Sequence, residues 1–383
     1  MSVELTPAYL LDEGVLKSQT ALLRRHLSSA CSFSYPLKTQ FMVPVLEVLA
    51  DLADGFSASS LFEAKLARQV GGSEKEVQFT SPTLRPQDAE ELAGVAHRIA
   101  FNSLSQFDRF KGVFAGRLGM GLRVDPGVSF IPDERYNPCR AGSKLGAALA
   151  DVQTLLKAQP REARKLEGIL FHNNCESEDF QHLRQTAQAV VSALGPWLKD
   201  LAWINLGGGY LFDEETDFTP LTETIALFRQ ATPARLFFEP GKGIVGPSMA
   251  LVASVVDLIE KGSRQVAVLD TSVNHLPEVF EYQTHPPVRG ELPEGGHRYQ
   301  LVGATCLAGD LFGEYGFPEP LTVGSRIFFE EVGAYSFVKA HYFNGVNLPA
   351  VYAAAPGGGA QLKKQYSYEE FVSRCGGLIH ANC

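Results

Sequence analysis

The chain has 383 residues, 45% of them hydrophobic and 20% charged, which suits a soluble globular protein with more than one small core. Its 34 basic and 43 acidic side chains leave a formal charge of -9, arguing against a nucleic-acid-binding face while leaving room for a small cationic substrate. The opening MSVELTPAYLLDEG lacks the basic and long apolar segments of a leader, no run suits a membrane span, and the six scattered cysteines form no CxxC pair, so a cytoplasmic, reducing setting without membrane contact is expected.

The pattern predicts a strand at residues 6–11 and a helix from Asp12 or Glu13 to about Ser28. Strand-like segments at 33–37, 77–80, 99–102, 118–124, 166–171, 203–206 and 235–238 then alternate with helical segments at 43–51, 61–69, 90–95, 105–110, 145–155, 180–194 and 221–229. Phe56-Ser57-Ala58-Ser59-Ser60 reads as a loop. Alternation of this kind builds a parallel sheet, and about eight such units between residues 30 and 265 would close a (β/α)8 TIM barrel. The apolar run at 249–259 reads as a buried helix or strand. Beyond residue 265 the rhythm changes to short strands at 265–270, 298–302, 326–330 and 348–354, with a helix only at 368–374. Residues 266–383 are therefore expected to form a mostly β domain, to which residues 1–29 contribute.

Polar residues gather at the carboxyl ends of the expected barrel strands, where barrel active sites lie. Lys38 follows SYPL, His172 follows GILF, Gly207-Gly208-Gly209 follows WINL, and Glu239 follows LFF. Lys38 is either a surface lysine past a strand or a lysine that forms a Schiff base with a carbonyl cofactor. The three glycines are either a plain turn or a backbone cradle for a phosphate, and without GxGxxG or a P-loop they do not signal a nucleotide. Glu239 suits a buried ion pair or a partner for a pyridinium nitrogen. His172 and Cys175 have no second Cys/His pair with matching spacing, so no metal is expected. Cys306, in GATCLAGD, is either a small buried hydrophobe or a loop thiol that can move a proton.

Together these motifs resemble the carboxynorspermidine/carboxyspermidine decarboxylases, within the alanine-racemase-fold (fold-type III) decarboxylases that use pyridoxal 5'-phosphate. The resemblance runs from Thr6-Pro7-Ala8-Tyr9 to Phe371 and is strongest in DGFSASSLFEAKLA, FNSLSQFDRF, YNPCRAGSKLG, FHNNCE, NLGGGY, FEPGKG, LDTSVNHLPEVFE, GATCLAGDLFGEY and FNGVNLP. It implies a pyridoxal-binding barrel with a carboxyl-terminal β domain, and an enzyme of polyamine biosynthesis. Lys38 would hold the cofactor covalently, His172 would stack on its ring, and Glu239 would pair with the ring nitrogen. Gly207, Gly208, Gly209, Gly241, Lys242 and Tyr335 would surround its phosphate. Cys306, from the second subunit of a head-to-tail homodimer, would return a proton to the α-carbon. Asp270, His275, Glu278 and Asp310 would lie near the substrate's distal amine, and Asp54 and Glu63 would support the lysine. Pro36, Thr39 and Gln40 depart from the family's usual surroundings of the lysine.

Diaminopimelate, ornithine, arginine or a carrier-linked acid are alternative substrates. Diaminopimelate would call for an anion-binding group such as Arg289 or Arg298. A racemase would have a tyrosine where this chain has Cys306. A non-catalytic homologue that binds pyridoxal phosphate would lack the second domain.

Overall fold

The computed structural model describes residues 3–27 and 29–377. The chain forms two compact units, one of Lys17–Ile244 and one joining Met1–Leu16 to Val245–Cys383. The changeover thus comes at Ile244, earlier than the expected residue 265.

In chain order the strands are β1 (Ala8–Asp12), β2 (Cys31–Pro36), β3 (Gly55–Ala58), β4 (Glu76–Ser81), β5 (Arg98–Phe101), β6 (Gly119–Asp125), β7 (Ala147–Ala148), β8 (Gly168–Phe171), β9 (Trp203–Asn205) and β10 (Arg235–Phe238). From β2 to β10 all pairing is parallel, in the order β5-β4-β3-β2-β10-β9-β8-β6-β7, and a β5–β6 pairing closes the ring. The short stub β7 pairs only with β6, so eight strands make the barrel. Strands covered by helices on one face and packed interior on the other need apolar residues throughout. GILF of β8 is buried along its whole length. So is GFSA of β3, which the serine-rich sequence disguised as a loop.

The barrel floor is packed. Ala100, Leu170, Trp203 and Phe237 form one cluster, and the Arg98 guanidinium lies 3.9 Å from the Phe237 ring centre. A Cβ on Gly168 would stand 2.1 Å from the Trp203 indole, so glycine is needed for the indole to fit. Helices follow the strands with regular caps: Ser60 accepts from Glu63 N–H before the helix Leu61–Gly71, and Ser103 accepts from Gln106 N–H before Leu104–Phe114. The floor is thereby filled, and chemistry is left to the opposite, carboxyl-terminal mouth.

The second unit is a sheet of β1 with β11 (Met249–Lys261), β12 (Arg264–Leu269), β13 (His297–Val302), β14 (Leu311–Phe317), β15 (Arg326–Phe329), β16 (Ala350–Ala354) and β17 (Ala360–Lys364). Its order is β14-β13-β12-β11-β1-β16-β17, with β15 on β11. The 13-residue β11 organises it, pairing with β1 (Ala8 opposite Val252), β12 and β15 and bending at a register shift between Val255 and Asp257. The apolar run at 249–259 is therefore strand, and it belongs to this sheet rather than to the barrel. Residues 6–11 were expected as a strand, and β1 lies parallel to β16 with Ala8 opposite Ala350. The first helix runs Glu13–His26, and its expected end at Ser28 lies outside the described residues. Among the described residues no helix is long and apolar enough to cross a membrane.

Candidate active site

β2 ends at Pro36, and a single 3-10 turn, Leu37–Thr39, presents Lys38 at the barrel mouth. Leu37 and Thr39 on either side are fully buried, while Lys38 keeps solvent-accessible surface. Charged groups of the barrel nonetheless act on its amine. Burial lowers its pKa, the Arg123 charge adds to this, and Glu239, Cys175 and Glu63 oppose it. Lys38 is thus an accessible lysine among the charged groups of the barrel mouth.

Two further groups share that mouth. His172 follows β8 and is partly accessible. Burial, with the Lys38 and Arg123 charges, holds its pKa well below the usual histidine range. Its Nδ1 accepts from the Gly208 N–H at 3.0 Å. Glu239 follows β10. Burial raises its pKa, opposed by hydrogen bonds from Asn205 and Ser57 and by the charges of Lys38 and Arg98.

The glycines are set by close approach. A Cβ on Gly208 would meet the Glu239 carbonyl oxygen at 2.0 Å, and one on Gly209 would meet the Asn174 carbonyl oxygen at 2.2 Å. Gly241 packs against the lysine's own turn, where a Cβ would stand 2.2 Å from Thr39 Oγ1. That hydroxyl is buried without a hydrogen-bond partner. Lys242 ion-pairs with Glu176 at 2.8 Å. Glu63 accepts from Ser59 N–H at 2.7 Å, and its charge and that of Lys38 act on each other.

Asp54 is not part of this group. It precedes β3, at the opposite end of the strand, where it pairs with Arg24 at 2.7 Å and accepts from Phe33 N–H at 2.7 Å. Burial pushes its pKa up, but these bonds outweigh it and hold it low. It braces the barrel's amino-terminal side.

Sequence reading missed Arg123 and Asn205. Arg123 sits buried in β6 and donates to the His172 carbonyl at 3.2 Å. An arginine inside the apolar run GMGLRVD was the available signal.

The remaining expected residues lie in the β unit. Cys306 is exposed on the loop between β13 and β14, its N–H donating to Asn344 Oδ1 at 2.9 Å. Asp310 is buried and accepts from Val273 N–H at 2.8 Å and Thr305 N–H at 3.0 Å, so it clamps this loop. Asp270 accepts from the Thr6 hydroxyl at 2.6 Å and Ser254 N–H at 2.8 Å, joining β1, β11 and β12. His275 is fully buried, its Nδ1 2.9 Å from the Thr271 hydroxyl. Three of the four expected substrate contacts thus turn their polar atoms inward, while Glu278, in the first turn of Pro277–Tyr282, keeps accessible surface. Tyr335 has φ +56°, with the Lys339 ammonium 5.5 Å from its ring centre.

A lysine held toward its neutral form, a neutral imidazole, a half-buried carboxylate and glycine turns at one barrel mouth fit pyridoxal phosphate as a donor set. The sequence model of the pyridoxal-dependent decarboxylase pyridoxal-binding domain matches residues 14–246. The chain is 36% identical to a carboxyaminopropylagmatine decarboxylase of Synechocystis, across 97% of this chain and 95% of that protein. It is 33% identical to a carboxynorspermidine/carboxyspermidine decarboxylase of Herminiimonas arsenicoxydans, across 96% and 98%. The carboxynorspermidine decarboxylase structure from Campylobacter jejuni, in complex with norspermidine, superposes with a TM-score of 0.86 at 29% identity, covering 97% of this chain and all of that one.

Proposed function

The chain belongs to the pyridoxal-dependent decarboxylases, and from that premise we propose that it removes the α-carboxylate of a carboxylated polyamine, carboxynorspermidine or carboxyspermidine, to leave norspermidine or spermidine. Its cofactor is pyridoxal phosphate. The observation that carries the chemistry is the gathering of Lys38, His172 and Glu239 at one barrel mouth. Relatives at 33% and 31% identity over nearly the whole chain carry the substrate.

When bound, pyridoxal phosphate supplies an aromatic electron sink for the pair released as carbon dioxide departs. Lys38 would hold the cofactor covalently, its amine nucleophilic because burial disfavours the ammonium. Glu239 would pair with the ring nitrogen, and His172, neutral and anchored through Nδ1, would pack on the ring. Gly207, Gly208, Gly209 and Gly241 would let backbone approach the phosphate, with Lys242 as a further contact. Glu63 sets the charge around the lysine. Cys306 would return a proton to the α-carbon.

Cys306 acts from a second copy in a head-to-tail homodimer. What supports this is its exposure, beside the exposed apolar side chains of Phe280, Leu307 and Phe343. The substrate's distal ammonium is met by Glu278, which keeps accessible surface. Diaminopimelate is less well served, since Arg289 is tied to Glu330 at 2.8 Å and Arg298 to Glu314 at 3.2 Å.

The 36% identity to the Synechocystis relative supports carboxyaminopropylagmatine as a second candidate. Carbon dioxide release from cofactor-loaded protein should be measured with carboxynorspermidine, carboxyspermidine, carboxyaminopropylagmatine, diaminopimelate, ornithine and arginine. Turnover of the first two is expected. Turnover of carboxyaminopropylagmatine alone moves the assignment to it, and silence with all three carboxylated amines overturns the proposal.

A further inference from the structure

Just below the barrel mouth, one buried amide joins the glycine turn to Glu239. Asn205 is the last residue of β9 and is fully buried. The Gly207 N–H donates to its Oδ1 at 2.8 Å. An N–H can only donate, so this bond fixes which end of the amide is oxygen. The amide nitrogen therefore points the other way, to Glu239 Oε1 at 2.6 Å and Gln78 Oε1 at 3.2 Å. The same turn is tied back twice more. Glu239 N–H donates to the Gly207 carbonyl at 2.6 Å, and Gly208 N–H donates to His172 Nδ1 at 3.0 Å. Glu239 and His172 thus hang from one turn.

We propose that Asn205 is a positioning residue that keeps Glu239 ionised and aimed at the barrel mouth, and couples it to the turn that seats His172. The proposal rests on Glu239 as the partner of the ring nitrogen and extends that reading by one residue.

Burial favours the neutral acid at Glu239, and a donated hydrogen bond favours the carboxylate. Lys38 after β2, Arg98 on β5 and Arg123 on β6 also favour the carboxylate through charge, and the Ser57 hydroxyl on β3 does so through a hydrogen bond. Asn205 differs from these in being bonded to the turn as well. An aspartate at this position would keep the shape but set oxygen against Glu239 Oε1 and Gln78 Oε1. One proton would then be shared between the two carboxyl groups, and Glu239 would ionise at higher pH.

The test compares Asn205→Asp, Asn205→Ala and Glu239→Gln with the wild-type holoenzyme. The readouts are cofactor affinity in equilibrium titrations, the pH midpoint of the bound cofactor's absorbance, and the thermal midpoint of each apoprotein. Asn205→Asp is expected to move the absorbance midpoint to higher pH and to weaken cofactor affinity by roughly tenfold or more. Asn205→Ala, which adds no charge, is expected to weaken affinity without an upward shift as large. If Glu239→Gln changes affinity and absorbance while both Asn205 variants match wild type, the role of Asn205 is overturned and that of Glu239 stands. If Glu239→Gln also matches wild type, the Glu239 reading fails and takes the proposal with it. Should Asn205→Asp not fold, Asn205→Ala decides by affinity alone, and wild-type affinity there overturns the proposal.

Discussion

His172 accepts a hydrogen bond at Nδ1 from the backbone N–H of Gly208, 3.0 Å away. The bond assigns the imidazole's remaining proton to Nε2 and fixes the ring's direction. It depends on how closely Gly208 approaches Glu239, since a Cβ there would lie 2.0 Å from the Glu239 carbonyl oxygen. Gly208→Ala should therefore force the turn apart, destabilise the protein by about 1–3 kcal/mol and release cofactor. Gly112→Ala is the control. This glycine lies within the helix Leu104–Phe114 and a Cβ would meet nothing within 4 Å, so alanine should be neutral or stabilise by up to about 1 kcal/mol. Urea midpoints and bound-cofactor absorbance check both, and equal behaviour of the two variants would refute the argument.

Lys38 gives a prediction with a definite sign. Its folded pKa lies below the ordinary lysine value, chiefly through burial. Below that folded pKa the apoprotein carries the full penalty of an enclosed ammonium, and the penalty fades as pH rises toward about 10.4. Apo Lys38→Met should therefore be more stable than the apo wild type at neutral pH, by a margin that shrinks in alkali. With cofactor present, the same variant should lack the absorbance of the covalently attached form. Persistence of that absorbance would place the attachment elsewhere.

The barrel was legible because its buried strands are short apolar runs that stop at a polar residue or glycine. Lys38, His172, Gly207 and Glu239 all follow such runs, and the fold carries them to one mouth. β3 was hidden because GFSA fills its buried positions with small residues that also suit a turn. The carboxylates were harder for a different reason. Asp54 is answered by Arg24, Asp270 by Thr6 and Asp310 by Val273, and such distant pairings leave no local pattern. A carboxylate with an internal partner and one awaiting a substrate look alike in sequence.

Asp310 separates those two roles by kinetics. Its oxygens hold Val273 N–H and Thr305 N–H, and Thr305 immediately precedes Cys306. Asp310→Asn would turn an amide N–H toward one of these donors, at a stability loss of about 1–3 kcal/mol. Turnover should fall through misplacement of Cys306, with KM for the polyamine substrate little changed. A raised KM with normal stability would instead restore Asp310 as a substrate contact.

His275 should make the protein sensitive to mild acid. Its side chain is fully buried, and burial, aided by the charge of His341, lowers its pKa to about 3. The unfolded chain takes up a proton near the ordinary value of about 6.5 that the folded chain refuses, so stability is lost as pH falls from there toward about 3. Between about pH 6.5 and pH 5 this one group should remove about 2 kcal/mol. His275→Leu strands the Thr271 hydroxyl and so begins less stable at neutral pH, but it should lose about 2 kcal/mol less than wild type on acidification to about pH 5. His172 and the carboxylates titrate in both proteins, so the difference between the two urea-midpoint curves isolates His275. Parallel curves would mean that the buried imidazole can take up its proton in the folded state, with the Nε2 that now lacks a partner gaining one.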